Sequence, residues 1–168
     1  NRITTYYTYG SGVELAMRYT PENNKRVGVV GLGVGTMAGF AEAGGQYWLY
    51  DINPAVVDLS ADDVAQFTYC INARDRGASV EIVPGDARLA MERELRTEKN
   101  RQLDVLVLDA FSSDSIPVHL LTLESLKLYD QHLKPDGVLA VHISNRYLNL
   151  EPVVRRLAAE LDFGMIEV

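Results

Sequence analysis

Three glycines stand at alternate positions in Val30-Gly31-Leu32-Gly33-Val34-Gly35-Thr36, directly after the apolar segment Arg26-Val27-Gly28-Val29-Val30. A strand that runs into such a turn and then into a helix, here Thr36 to Ala43, is the opening unit of an α/β sheet. Glycine lets the backbone turn sharply and approach a ligand closely, and a helix N-terminus behind it adds a positive dipole end. Gly44-Gly45 closes that helix.

The same alternation continues along the chain. Further strands are predicted at Gln46 to Tyr50, Ser79 to Val83, Leu103 to Leu108, Val138 to Ile143 and, as a sixth, Gly164 to Val168. Helices are predicted from Asn53-Pro54 to about Arg74 with a break, and at Ala87 to Leu95, Thr122 to Leu133 and Leu150 to Leu161. Lys134-Pro135-Asp136-Gly137 reads as a turn in which proline sets φ and Gly137 supplies a positive φ. Ile3 to Tyr9, rich in Thr and Tyr, reads as an edge strand or an arm. The pattern predicts an α/β fold with a mainly parallel sheet and helices on both faces.

Composition narrows the function classes. The 168 residues suit one domain, and a net charge of −7 argues against a nucleic-acid partner. Cys70 is the single cysteine, which excludes an internal disulfide and a multi-cysteine metal site; it reads as a buried thiol. The longest uncharged run, Val27 to Ala41, is too short and glycine-rich to span a bilayer, which takes about 20 apolar residues. A chain opening on Asn1 and closing on Val168 inside an apolar run is expected to be a fragment of a longer protein. Residues 1–22 are read as an amino-terminal arm and linker, and 23–168 as a nucleoside-cofactor domain truncated at its carboxyl-terminal strands.

Acidic residues follow the predicted strands. Asp51 lies 20 residues after Gly31, where a carboxylate can accept from both ribose hydroxyls. From Gly31 the turn reads G-x-G-x-G, an S-adenosylmethionine-type pattern; from Gly33, the residues Gly33, Gly35 and Ala38 fit the dinucleotide pattern G-x-G-x-x-A. Gly85-Asp86 favours the first class, because an acid after the third strand can accept from an adenine amino group. Asp109 follows the fourth strand, and Asp114 lies in the loop behind it. Two carboxylates there can hold a cationic substrate, and one can take a proton from an ammonium group. His119, His132 and His142 share no metal-ligand spacing and read as structural; no metal is expected.

Together these segments resemble the polyamine aminopropyltransferases, the spermidine synthase family, some of whose relatives are fused to a membrane transporter-like segment. Val27 to Thr36 resembles the family's first strand and glycine loop, and Tyr50-Asp51-Ile52-Asn53-Pro54 its ribose-binding segment, with Asp51 in place of Glu. Gly85-Asp86 is similar to the adenine-contacting pair, Asp109 to the general base, and Leu133 to Val138 to the turn into the fifth strand. The resemblance implies a Rossmann-like S-adenosylmethionine-dependent methyltransferase fold. It implies cofactor contacts from Gly31, Gly33, Gly35, Asp51, Ile52, Gly85, Asp86 and Ala87, and substrate contacts from Tyr9 and Asp114. The implied reaction moves an aminopropyl group from decarboxylated S-adenosylmethionine to a polyamine, with Asp109 as base. A cytoplasmic domain follows from it, with a homodimer or a membrane tether outside this chain as compatible arrangements. Val34 stands where the family carries an Asp, and Val29 where methyltransferases often carry an acid. The alternatives are a methyltransferase using S-adenosylmethionine, a non-catalytic nucleoside- or polyamine-binding domain, and an NAD-dependent oxidoreductase.

Overall fold

The computed structural model describes residues 7–20, 24–61, 66–110, 117–144 and 148–168. Five strands, β1 (Arg26–Val30), β2 (Gln46–Asp51), β3 (Ser79–Pro84), β4 (Leu103–Leu108) and β5 (Leu133–Val141), form one parallel sheet in the order β3-β2-β1-β4-β5. This is the doubly wound α/β arrangement of a Rossmann-like methyltransferase fold, as the resemblance implied. The chain steps outward from β1 to β2 and β3, then returns past β1 to β4. The order therefore reverses between β1 and β4, and such a switch point opens a crevice at the carboxyl ends of the strands.

Helices cover both faces because the strands are apolar on both. Val27, Val29, Tyr47, Leu49, Val105 and Val107 pack against α1 (Gly12–Tyr19) and α3 (Tyr69–Asp75), with Val56 and Val57 of α2 (Pro54–Ala61) at the margin. Val30, Trp48, Tyr50, Leu106 and Leu108 pack against α4 (Ala87–Arg96) and α5 (Leu123–His132), with Val154 and Leu157 of α6 (Glu151–Glu160) behind them. All six residues of β4 are buried, as a central strand of a covered parallel sheet requires.

Five local readings change. Thr36–Phe40 is a 3-10 turn of five residues, not an α-helix reaching Ala43, so few peptide dipoles line up behind the glycines. The helix α1 lies in the segment read as arm and linker. Ser11 caps it by accepting from Glu14 N (3.2 Å), and Val13, Ala16 and Met17 join the sheet core. The strand β5 starts at Leu133, five residues before the expected Val138. Two steps along β4, Leu103 to Val105, match five along β5, Leu133 to Val138, so the Lys134–Gly137 turn loops out inside the strand. Gly137 has no positive φ; a Cβ there would sit 2.8 Å from Leu103 O, and close approach is what requires glycine. Residues 164–168 form no sixth strand; Val168 lies beside Gly12, and Glu167 pairs with Arg155 at 3.6 Å.

Asp104, though buried, anchors the displaced start of β5. It accepts from Arg26 N (2.7 Å) and from Lys134 Nζ (2.5 Å), so its charge is paired. Among the described residues no helix is long and apolar enough to cross a membrane.

Candidate functional site

The backbone ladders run one residue past β1, β3, β4 and β5 and bring the ends of all five strands into a row along the carboxyl edge. Gly31 N donates to Tyr50 O (2.9 Å), Gly85 N to Asp51 O (2.8 Å), Asp109 N to Val30 O (2.9 Å) and His142 N to Leu108 O (3.0 Å). Read across the sheet, the edge presents Gly85-Asp86, Asp51, Gly31, Asp109 and His142. The acids predicted after strands two, three and four are thus brought to one edge by strand register.

The three glycines of the turn do different work. A Cβ on Gly31 (φ 102°) would lie 2.4 Å from Asp109 O, so this glycine lets β1 and β4 converge. A Cβ on Gly35 (φ 77°) would lie 3.0 Å from Cys70 Sγ, so this one faces the buried thiol of α3. Gly33 (φ 52°) has no atom within 4 Å of such a Cβ, and Gly85 (φ 115°) is equally open. Those two clear space at the edge.

Asp51 braces the turn. Its Oδ2 accepts from Leu32 N (2.9 Å) and its Oδ1 from Asn53 N (2.8 Å). A carboxylate has about four acceptor sites, so it can still receive ribose hydroxyls. Ile52, 70% exposed, offers an apolar face beside it. Asp86 caps α4 by accepting from Leu89 N (3.0 Å) and meets His119 Nε2 at 2.8 Å. Partial burial acts to raise its pKa, but the Leu89 amide and then His119 outweigh it and hold the group below its usual range. Ala87, expected at the cofactor, turns its methyl into the core.

At the β4 end Asp109 sits between two partners that sequence reading missed. His142 Nδ1 lies 2.6 Å from its Oδ1, and Tyr7 OH donates to its Oδ2. The Asp109 side chain is only 6% exposed and that of His142 is 27% exposed. Tyr9 does not join them: it is 82% exposed and stacks on Arg18 (4.9 Å). The aromatic at the site is Tyr7, two residues earlier. His142 was read as structural because its spacing from other histidines carried no signal; its pairing with Asp109 depends on β5 lying beside β4. Asp114 lies outside the described residues. Among the described residues no group of three or more His, Cys, Asp or Glu is placed to hold a metal ion. A cleft of about 180 Å³ lined by Met17, Lys25, Phe40 and Tyr47 opens at the opposite end of β1 and β2, away from this edge.

No family model matches the chain. It is 29% identical over 114 residues to an N-terminal histidine N-methyltransferase of Emericella nidulans, covering 68% of this chain and 19% of that protein. The chain thus spans about a fifth of the length of this curated relative. The crystal structure of human methyltransferase-like protein 13 in complex with SAH superposes with a TM-score of 0.61 at 18% identity, covering 88% of this chain and 70% of that one. Both are methyltransferases by name, and neither is an aminopropyltransferase. The assignment to the spermidine synthase family, and aminopropyl transfer with it, is therefore corrected. The shared motifs belong to the sheet edge that these folds have in common, which is why they pointed to the wrong family. The decarboxylated cofactor finds no support in these relatives, and the polyamine acceptor rested on that family alone.

Proposed function

We propose that this chain is the cofactor-binding domain of an S-adenosylmethionine-dependent methyltransferase that acts on a nitrogen acceptor. The observation that carries the reading is the glycine turn at the switch point, braced by Asp51 and open at Gly33. The methyltransferase relative and the structural neighbour with SAH support it.

The residues present fit the nucleoside part of the cofactor. Asp51 would hold the ribose hydroxyls, Asp86 the adenine amino group, and Ile52 the adenine face, with Gly33 and Gly85 clearing room for them. No carboxylate on the glycine turn serves the amino-acid end, since Val29 is buried and Val34 apolar. When bound, the cofactor supplies an electrophilic methyl group on a sulfonium. The protein's own part is to hold the acceptor over the β4–β5 end of the edge, beside Asp109 and His142, and to exclude water there.

Titration calorimetry with S-adenosylmethionine, SAH and NAD checks this. Binding of the first two but not of NAD is expected, and Asp51→Ala should weaken both at least tenfold. A wild-type chain that binds neither sulfur nucleoside would overturn the proposal.

A further inference from the structure

We infer that His119 is a specificity-determining residue of this site: it aims the Asp86 carboxylate at the cofactor's base and so commits the domain to a base that carries an amino group. This rests on the methyltransferase reading above and concerns the nucleobase end of the same cofactor. His119 lies 33 residues from Asp86, on the 3-10 turn Val118–Leu120, and its Nε2 stands 2.8 Å from Asp86 Oδ2. Its spacing from the other histidines carried no signal, because the pair forms only where the segment after β4 meets the start of α4.

The histidine is held in place by contacts other than Asp86. Arg88, in the first turn of α4, donates from Nη1 to His119 O (3.2 Å), and Tyr129 of α5 donates its hydroxyl to the next carbonyl, Leu120 O (3.1 Å). Leu120 and Leu121 are buried in the core on that face of the sheet. The ring therefore meets Asp86 from a fixed position. Asp86 is fixed at its other oxygen too, where Oδ1 accepts from Leu89 N (3.0 Å). One donor on each oxygen sets the plane of the carboxylate, and each oxygen keeps a second lone pair for a ligand. Beside it the edge is open: Gly85 has no atom within 4 Å of an added Cβ, and Ile52, at the end of the neighbouring strand, is 70% exposed.

An ionised carboxylate only accepts, so Nε2 carries the proton in the pair. Partial burial favours the neutral acid, which would present an O–H; the Leu89 amide and then His119 outweigh it and keep Asp86 ionised. What the pair offers a base is therefore an acceptor and nothing else. The amino group of adenine donates to it. Hypoxanthine, with a carbonyl in place of that amino group, sets a second acceptor against it. A site built to bond an N–H strongly rejects an analogue that lacks it. Without His119, Oδ2 loses its donor and the carboxylate is free to turn about the Leu89 bond, so the preference weakens even where SAH still binds.

The test compares SAH with S-inosylhomocysteine, in which a carbonyl replaces the amino group of adenine. Both are titrated by calorimetry into the wild type, His119→Ala, His119→Gln and Asp86→Asn. The wild type should prefer SAH by at least about 100-fold. His119→Ala should cut that ratio at least about tenfold, and His119→Gln, whose amide can donate in place of Nε2, should recover most of it. Asp86→Asn still caps α4, but its amide offers a donor to the carbonyl, so the ratio should fall below about tenfold. A purely structural role for His119 would weaken both ligands together. Equal weakening of the two in His119→Ala, or a ratio that does not change, would therefore overturn the inference. A wild type that binds SAH without preferring it overturns the inference and leaves the cofactor reading standing; one that binds neither ligand overturns both.

Discussion

At the scale of single residues, the glycines of the turn meet different surroundings. Gly31 is required because β4 passes too close for a Cβ, whereas Gly33 has a left-handed φ and open space around its Cα. The two should respond differently to alanine. Gly31→Ala combines a left-handed φ with a backbone clash and should cost more than about 3 kcal/mol. Gly33→Ala meets no neighbour and should cost about 1–2 kcal/mol for its φ alone, while weakening SAH binding at least tenfold. Urea unfolding and calorimetry on the pair check this; equal stability losses would show that the clash is relieved by movement of Asp109. The spacing of the three glycines was legible in the sequence. Their separate tasks were not, because they depend on what lies opposite each Cα.

At the scale of elements, β5 decides where His142 stands. Its start is displaced by the looped-out Lys134–Gly137 turn and held by Asp104, which also accepts from the first amide of β1. Asp104→Ala leaves Lys134 without this buried carboxylate and should cost about 3–5 kcal/mol, with β5 amides gaining the most hydrogen exchange. If exchange rises evenly over all strands, β5 has no special dependence on this anchor. The strand core Val138–Val141 was readable as an apolar run, but its extension to Leu133 was not, since a ladder that resumes after a bulge leaves no periodic trace. The helix α1 did leave a trace: Ser11 with Glu14, three residues on, is a capping pattern, followed by Val13, Ala16 and Met17 at helical spacing.

At the scale of the whole molecule, the helix layers impose a pH dependence on folding. His132 is fully buried, with Nε2 donating to Met91 O (3.0 Å). Burial lowers its pKa, and the approach of Arg101 adds to this against the opposing pull of Met91 O and Glu94. The unfolded chain then binds a proton near the ordinary histidine value of 6.5 that the native chain refuses until lower pH. Its contribution to stability is full above that value and declines as pH falls from there toward the folded value. Asp86 behaves in a separate window: its depressed pKa stabilises the fold above the ordinary 3.8 and that gain is lost in stronger acid. Urea midpoints measured from pH 7.5 to 5 should fall for the wild type and fall less for His132→Gln. Parallel declines would assign the acid sensitivity to other groups.

The sequence by itself determined the α/β class, the succession of the five strands along the chain, and the positions of Asp51, Asp86 and Asp109 at strand ends. It could do so because apolar runs, glycine turns and caps are local patterns with a direct steric or hydrogen-bonding cause. It did not separate one family from another using the same sheet edge, because those motifs report a shared fold and not a reaction. Only the tertiary structure decided which glycines of the turn face open space and which face packed atoms. It alone placed Tyr7, not Tyr9, at the site, and seated His142 against Asp109. Strand order and register are set by packing over the whole sheet, so the neighbours they create across 33 and 102 residues are not marked in either segment taken alone.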